Sequence, residues 1–454
     1  MRKIATLLSL FSFFVLYTGC KDKEPEETVK PYLRVNASEK LMSNAAGSFN
    51  ILVSSNVKWN VETKNAWLKS ERTSGDGDMS VKITYEANTA AKRSGVVRFT
   101  AKGVNPVELI VTQSDLTFAN PIGQIPDPWI VKHGDYYYVC KAQGNGINVS
   151  RSDKLSVISA TKQIWKAPYD AGGVTVWNPT NVWAPELHCV DGRWYIYYAA
   201  GRPTSESNGS YKMQRAGVLR AKTDDPMGAW EDMGMLYTGD NYQKGIVATA
   251  ANTAYAIDMG VFYLKGQLYA IWSGNPPGSG DQWLYIATME NPYTISSSRV
   301  AISKPDKSWE TVTGKVNEGP AFLKNKEKGK FLVIYSCNGS WTKQYRLASL
   351  ELSDTLANPL VAVNWKKSAN EVFFRLDDTS AVDGVNGVGH CSFTKSPDET
   401  EDWIVYHVKS RNNDGWDGRY TFIQKFGWKT DGTPDFGTPV AWGEAVALPA
   451  GESR

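Results

Sequence analysis

Five ionisable residues stand where such residues are costly, at the entrance to short apolar runs that read as buried strands. They are Asp127 in "PDPWIV", Glu186 in "WAPELH", Asp258 in "AIDMGVF", Glu318 in "NEGPAFL" and His390 in "VGHCSF". Carboxylates gathered in a partly dry pocket push one another's pKa upward. Glycosidic hydrolysis uses that cost: one carboxylic acid keeps its proton for the leaving oxygen while an ionised partner activates water. The neighbouring Pro and Gly in "DPW", "APE" and "EGP" suit a backbone that must aim a side chain into a channel instead of a sheet. Such chemistry requires residues scattered over some 260 positions to meet.

A repeat in the chain supplies the means. "KHGDYYYVCKA", "VDGRWYIYYAA", "LKGQLYAIWSG", "EKGKFLVIYSC" and "DETEDWIVYHV" share one form, a glycine or acidic turn followed by an aromatic-rich strand. Their turn residues Gly134, Gly192, Gly266, Gly329 and Glu401 lie 58 to 74 residues apart. That spacing is long for one hairpin and right for a four-stranded sheet with decorated loops. Five such sheets closing radially predict a five-bladed β-propeller over residues 116–454. The first strand of each blade lines the central channel, so the five ionisable residues, one per copy, converge there.

The remaining sequence narrows the class. With 454 residues the chain exceeds one ordinary core and reads as a small domain and a large one. The net charge of +3 carries no polybasic run, which excludes an electrostatic footprint for nucleic acid. Seventeen Trp and 12% aromatic residues, with frequent Gly and Pro, lean all-β and offer flat rings to sugar C–H faces. Four His without an HExxH pattern, and no GxSxG, exclude zinc-hydrolase and Ser-hydrolase signatures. Cys140, Cys189, Cys337 and Cys391 are widely spaced and read as buried free thiols.

Residues 1–19 read as a secretory signal, with Arg2 and Lys3 ahead of a short apolar run. "LYTGC" resembles a bacterial lipoprotein signal, which implies lipidation of Cys20, a tether over 20–30, and anchoring at the outer membrane, cell surface or periplasm of a diderm bacterium. Lipid chains would then be the sole attachment to membrane. Alternating strands separated by Asn, Gly and Ser-rich turns over 31–114 predict a small immunoglobulin-like β-sandwich. That stretch resembles a BACON domain, with Trp59 and Trp67 around a turn, then Asn88, Arg93 and Gln113. Both Trp are expected in its core.

The ordered set "DPWIV" with "HGDYYY", "VWAPELH", "IDMGVF", "NEGPAF" and "GVGHCSF" resembles glycoside hydrolase family 43 over 116–450. "GRYTFIQKFGWKTDGTPDFGTPV" fits that family's closing blade. The resemblance implies Asp127 as general base, Glu318 as general acid and Asp258 as the residue that orients the acid and adjusts its pKa, in an inverting single displacement. It also implies sugar contacts for Trp183, Glu186 and Arg419. No cofactor is required; His390 on the channel axis would hold water or a structural calcium ion. "SGNPPGSGDQWLYIATMENPYTISSSRVAISKPDKSWE" looks most like the arabinofuranosidase branch, so the expected substrate is a plant oligo- or polysaccharide such as arabinan or arabinoxylan, and the expected state a monomer. β-Xylosidase, endo-arabinanase and galactofuranosidase are the alternatives within the family. Outside it stands a non-catalytic glycan-binding surface lipoprotein.

Overall fold

The computed structural model describes residues 30–354, 356–377 and 383–453. Cys20 and the signal segment lie outside the described residues. Among those residues the protein is all-β, with helix confined to three short 3-10 turns. No described helix is long and apolar enough to cross a membrane. Contacts divide the described residues into two compact units, one of 30–40 with 46–86 and 94–111, the other of 41–45, 87–93 and those from 112 to 453.

The N-terminal region forms two antiparallel sheets. One orders its strands as Leu33–Val35, Gly47–Ser55, Met79–Tyr85 and Leu68–Ser70; the other as Glu39–Ser43, Val104–Ser114, Lys92–Ala101, Lys58–Thr63 and Ser74–Asp76. The strict alternation in "NILVSS" and "VKITY" buries Ile51, Val53, Val81 and Ile83 on one face. Trp59 is fully buried, packs edge-on against Phe99 at 6.2 Å, and its indole N–H donates to Gly77 O at 2.9 Å. Gly75 is there because a Cβ would collide with that indole. Trp67 is only half-buried. The motif residues bind one another: Arg93 Nε donates to Gln113 Oε1 at 2.8 Å, and the Gln113 amide donates to Ser43 O.

The second unit carries five antiparallel sheets in chain order, each opening on a strand at the centre. These inner strands are Trp129–His133, Thr180–Val190, Ala256–Leu264, Asn317–Asn325 and Asn386–Lys395. We number the sheets blades 1 to 5 after them. Blades 1, 2, 4 and 5 have four strands and blade 3 has five, its third strand pairing with both Thr294–Ile295 and Val300–Ser303.

Apolar side chains on both faces of each blade explain the near-continuous hydrophobic runs of the repeat. Five buried clusters result, each wedged between two successive blades. Leu187 and Ile196 meet Tyr138 and Val149 between blades 1 and 2, and Met259 and Trp272 meet Tyr197 and Val218 between 2 and 3. Val333 and Tyr335 meet Phe262 and Ile271 between 3 and 4, and Val388 and Tyr406 meet Leu332 and Ile334 between 4 and 5. Ile130 and Tyr137 then meet Trp403 and Ile423, joining blade 5 back to blade 1. The ring is closed, as a five-bladed propeller must be. Thr117–Ala119, ahead of blade 1, pairs with Ala445–Ala447 near the C-terminus and fastens the two ends of the unit.

Candidate active site

Each blade enters the channel through one residue in the left-handed backbone region: Asp127 (φ 49°), Ala184 (φ 39°), Asp258 (φ 53°), Gly319 (φ 57°) and His390 (φ 44°). In blades 2 to 5 the pairing register breaks at this point, between Trp183 and Glu186, Ile257 and Gly260, Glu318 and Ala321, and Gly389 and Ser392. These are bulges, which re-aim a side chain from the sheet into the channel mouth. A non-glycine residue held there costs about 1–3 kcal/mol, a strain that surrounding structure must over-determine.

The bulges set the true correspondence between blades. Asp127, Asp258 and His390 share one row, in which blade 2 offers Ala184 and blade 4 offers Gly319. Glu318 stands one residue earlier, level with Trp183 of blade 2. Glu186 stands two residues later, level with Gly260 and Ser392, and this corrects the expectation that it contacts sugar. It is 1% exposed, lies deeper in the channel, and its Oε2 meets His188 Nε2 at 3.0 Å. A Cβ on Gly260 would sit 2.5 Å from that oxygen, so the glycine of blade 3 makes room for the carboxylate of blade 2.

The other predicted residues meet at one cavity of about 810 Å³, lined by Asp127, Trp183, Asp258, Glu318, His390 and Arg419 among others. Its size is in the upper range for small-molecule pockets. Trp183 stands on the wall edge-on to Tyr211 at 4.8 Å. Opposed to blade 2, the loops of blades 4 and 5 bring Trp341 and Trp416 to the lining, ring centres 5.6 Å apart, with Trp416 half-exposed.

The three acids are in contrasting environments. Burial pulls the Asp127 carboxyl up, but Arg419 (Nη1 to Oδ1, 2.9 Å) and His390 (Nδ1 to Oδ1, 3.2 Å) outweigh it and hold the group well below the usual carboxylate range. Burial is the main cause that raises Asp258 to about 6, against the pull of His390, while its Oδ2 accepts the Gly319 N–H at 3.0 Å. Burial and then the Asp258 charge raise Glu318 further, to about 8. At neutral pH Asp127 is therefore charged and Asp258 largely ionised, while Glu318 keeps its proton at the same cavity. Burial disfavours charge on His390 too, but Asp127 and Asp258 prevail and lift it to about 9.

His390 Nδ1 thus stands against the Asp127 carboxylate at 3.2 Å. Among the described residues no group of three or more His, Cys, Asp or Glu is arranged to hold a metal ion. Cys140, Cys337 and Cys391 are buried free thiols as expected, but Cys189 is exposed, since it lies on the outward side of the alternation leading into the Asp191–Gly192 turn. His407 was not anticipated at all: fully buried in the second strand of blade 5, it places Nδ1 3.1 Å from the Asp127 backbone N–H.

Residues 118–434 match the profile of Glycosyl hydrolases family 43. The chain belongs to that family. Its N-terminal residues 57–114 match the BACON domain profile. This family 43 chain is similar to an extracellular exo-α-(1→5)-L-arabinofuranosidase of Streptomyces avermitilis, 36% identical over 342 residues, which are 72% of this chain and 65% of that protein. It is also similar to α-L-arabinofuranosidase 43 of Humicola insolens, 34% identical over 70% of this chain and 62% of that protein. The match thus spans less than two thirds of either relative's length. Among solved structures, an α-L-arabinofuranosidase from Lactobacillus brevis superimposes with a TM-score of 0.63 at 32% identity, covering 72% of this chain and 98% of that one.

Proposed function

We propose that this family 43 chain is an inverting, exo-acting glycoside hydrolase that removes terminal α-L-arabinofuranosyl units from plant polysaccharides. One observation carries the reading: Asp127, paired with Arg419 and His390, and the buried carboxyl of Glu318 face a single cavity. Glu318 gives its proton to the glycosidic oxygen. Asp127, kept anionic by Arg419 and His390, orients water on the opposite face of the ring and takes its proton as the sugar becomes oxocarbenium-like and the attacking water acidic. Asp258, which raises the acid's pKa and fixes Gly319 beside it, is a positioning residue. The relatives named arabinofuranosidases favour arabinofuranose over the family's other sugars. We further infer that the N-terminal sheets make an immunoglobulin-like sandwich, and that lipidated Cys20 tethers the protein to a bacterial surface.

Hydrolysis of an aryl α-L-arabinofuranoside, followed by proton NMR, is expected to release β-L-arabinofuranose first. An α-configured first product would remove the inverting mechanism. Failure of well-folded protein to cleave α-L-arabinofuranosides, β-D-xylosides and β-D-galactofuranosides alike would favour a binding protein.

The pH profile has a definite sign. Activity needs Asp127 ionised and Glu318 protonated, so kcat/KM should hold through neutral pH and fall as Glu318 ionises near about 8. Asp258 is ionised by then and supplies part of the shift. In Asp258→Asn that charge is gone, and the alkaline limb is expected to move to lower pH. An alkaline limb unmoved in that variant would detach Asp258 from the acid's pKa.

A further inference from the structure

The left-handed turn at Asp127 is one of two at non-glycine residues that must be held against a following proline, the other being Ala184 before Pro185. The ring of Pro128 biases the preceding residue toward extended backbone. Blade 1 has few means of its own to resist this, because its first strand begins only at Trp129. The holding groups come from blade 5. Thr421 Oγ1 donates to Ile125 O at 2.8 Å, and Ser392 Oγ donates to Pro128 O at 3.1 Å while accepting the Ile130 N–H at 3.2 Å. At the turn itself the Asp127 N–H donates to His407 Nδ1 at 3.1 Å.

That hydrogen bond determines the state of the imidazole. A nitrogen that accepts an amide proton carries none, so the ring proton is on Nε2. Burial keeps the ring neutral, its pKa lowered to about 4. The 3.4 Å approach of Nδ1 to Asp127 Oδ1 therefore contains no proton and adds no attraction. Two histidines flank one carboxylate with opposite duties: His390 is a cation facing its oxygen, and His407 is a neutral acceptor facing its backbone. Nε2 of His407 is buried without a hydrogen-bond partner among the described residues. A fully buried imidazole with one nitrogen idle is expensive, and the nitrogen in use serves Asp127. The ring itself is stacked on Tyr345, centroids 5.5 Å apart and planes 11° from parallel.

We propose that His407 is a positioning residue whose Nδ1 clamps the Asp127 amide and so holds the carboxylate in line with the attacking water. The inference rests on Asp127 being the base. Two substitutions separate the clamp from the packing. His407→Phe keeps a ring to stack on Tyr345 but has no acceptor; His407→Asn loses the ring but offers Oδ1 at the place of Nδ1.

If the clamp positions the base, activity and stability rank in opposite orders. His407→Phe should melt near the wild type while kcat on an aryl α-L-arabinofuranoside falls about 10²-fold, the cost of a misplacement of about 1 Å, with KM nearly unchanged. His407→Asn should melt earlier but recover most of kcat when assayed below its melting range. Wild-type kcat in His407→Phe overturns the proposal, as does a loss of kcat in both variants that follows their loss of stability. Should His407→Asn fail to fold, His407→Phe alone decides by its kcat against KM. Asp127→Asn is assayed beside them: if it stays active the base reading itself falls, and if it is dead while His407→Phe is fully active only the clamp falls.

Discussion

Glu318→Gln is expected to lower kcat by about 10²–10⁴ on an arabinoside whose leaving group is another sugar, and by much less on one with an acidic phenol as leaving group. The difference follows from what the acid does. A sugar alkoxide is a strong base and cannot leave without a proton, whereas a nitrophenolate leaves nearly unaided. The fold should survive, because Glu318 is buried and, with its pKa raised to about 8, already neutral at working pH. Gln is close in size and needs no counter-charge. Kinetics of the purified variant on both substrates decide the matter: equal losses would show that Glu318 does something other than protonate the leaving group. The alkaline limb assigned to Glu318 should vanish in the same protein.

The parts of this site that were legible in the sequence share one property: they interrupt a strong pattern. Asp127, Asp258 and Glu318 break apolar runs at blade entrances, and the aromatic strands recur because every blade is buried on both faces, so ring and site announced themselves together. Glu186 was misplaced because the correspondence between blades depends on backbone conformation. Blade 2 spends Ala184 on the left-handed position, and nothing in the letters "WAPELH" distinguishes that alanine from the acid two residues on. Only the bulge shows that Glu186 belongs with Gly260, one level deeper.

His407 was hidden for a related reason, since its correspondence with the other copies also depends on strand register. In "DWIVYHV" it is Tyr406 that takes the aromatic slot of Tyr198, Trp272 and Tyr335, while His407 takes the slot that Ala199, Ser273 and Ser336 fill in their own copies, a correspondence that only the strand register shows. It packs as core, against Tyr345. Its second role is a contact made 280 residues away, across the closure of the ring, which no local periodicity encodes. Arg419 was noticed through its resemblance to a family position, but its partner, Asp127 at 2.9 Å, likewise became visible only with the ring closed.

Asp127→Asn is expected to cost about 10²–10⁴ in kcat whatever the leaving group, in contrast to the graded loss at Glu318. Water must be deprotonated in every turnover, and an amide cannot take that proton. Asn is the informative substitution because it tolerates the left-handed backbone that Asp127 occupies at φ 49°; its amide N–H still reaches His407 and the turn is kept. The electrostatics change in a predictable sense. Asp127 is the main charge sustaining protonated His390, so in the variant burial regains the upper hand and the His390 pKa falls. Arg419 loses its 2.9 Å carboxylate partner. Steady-state kinetics with a sugar and a phenol leaving group supply the check, beside a thermal melt to establish that the propeller is intact. A loss graded by leaving-group acidity would mean that the roles of Asp127 and Glu318 are exchanged. Wild-type activity would mean that the water is activated from elsewhere in the cavity.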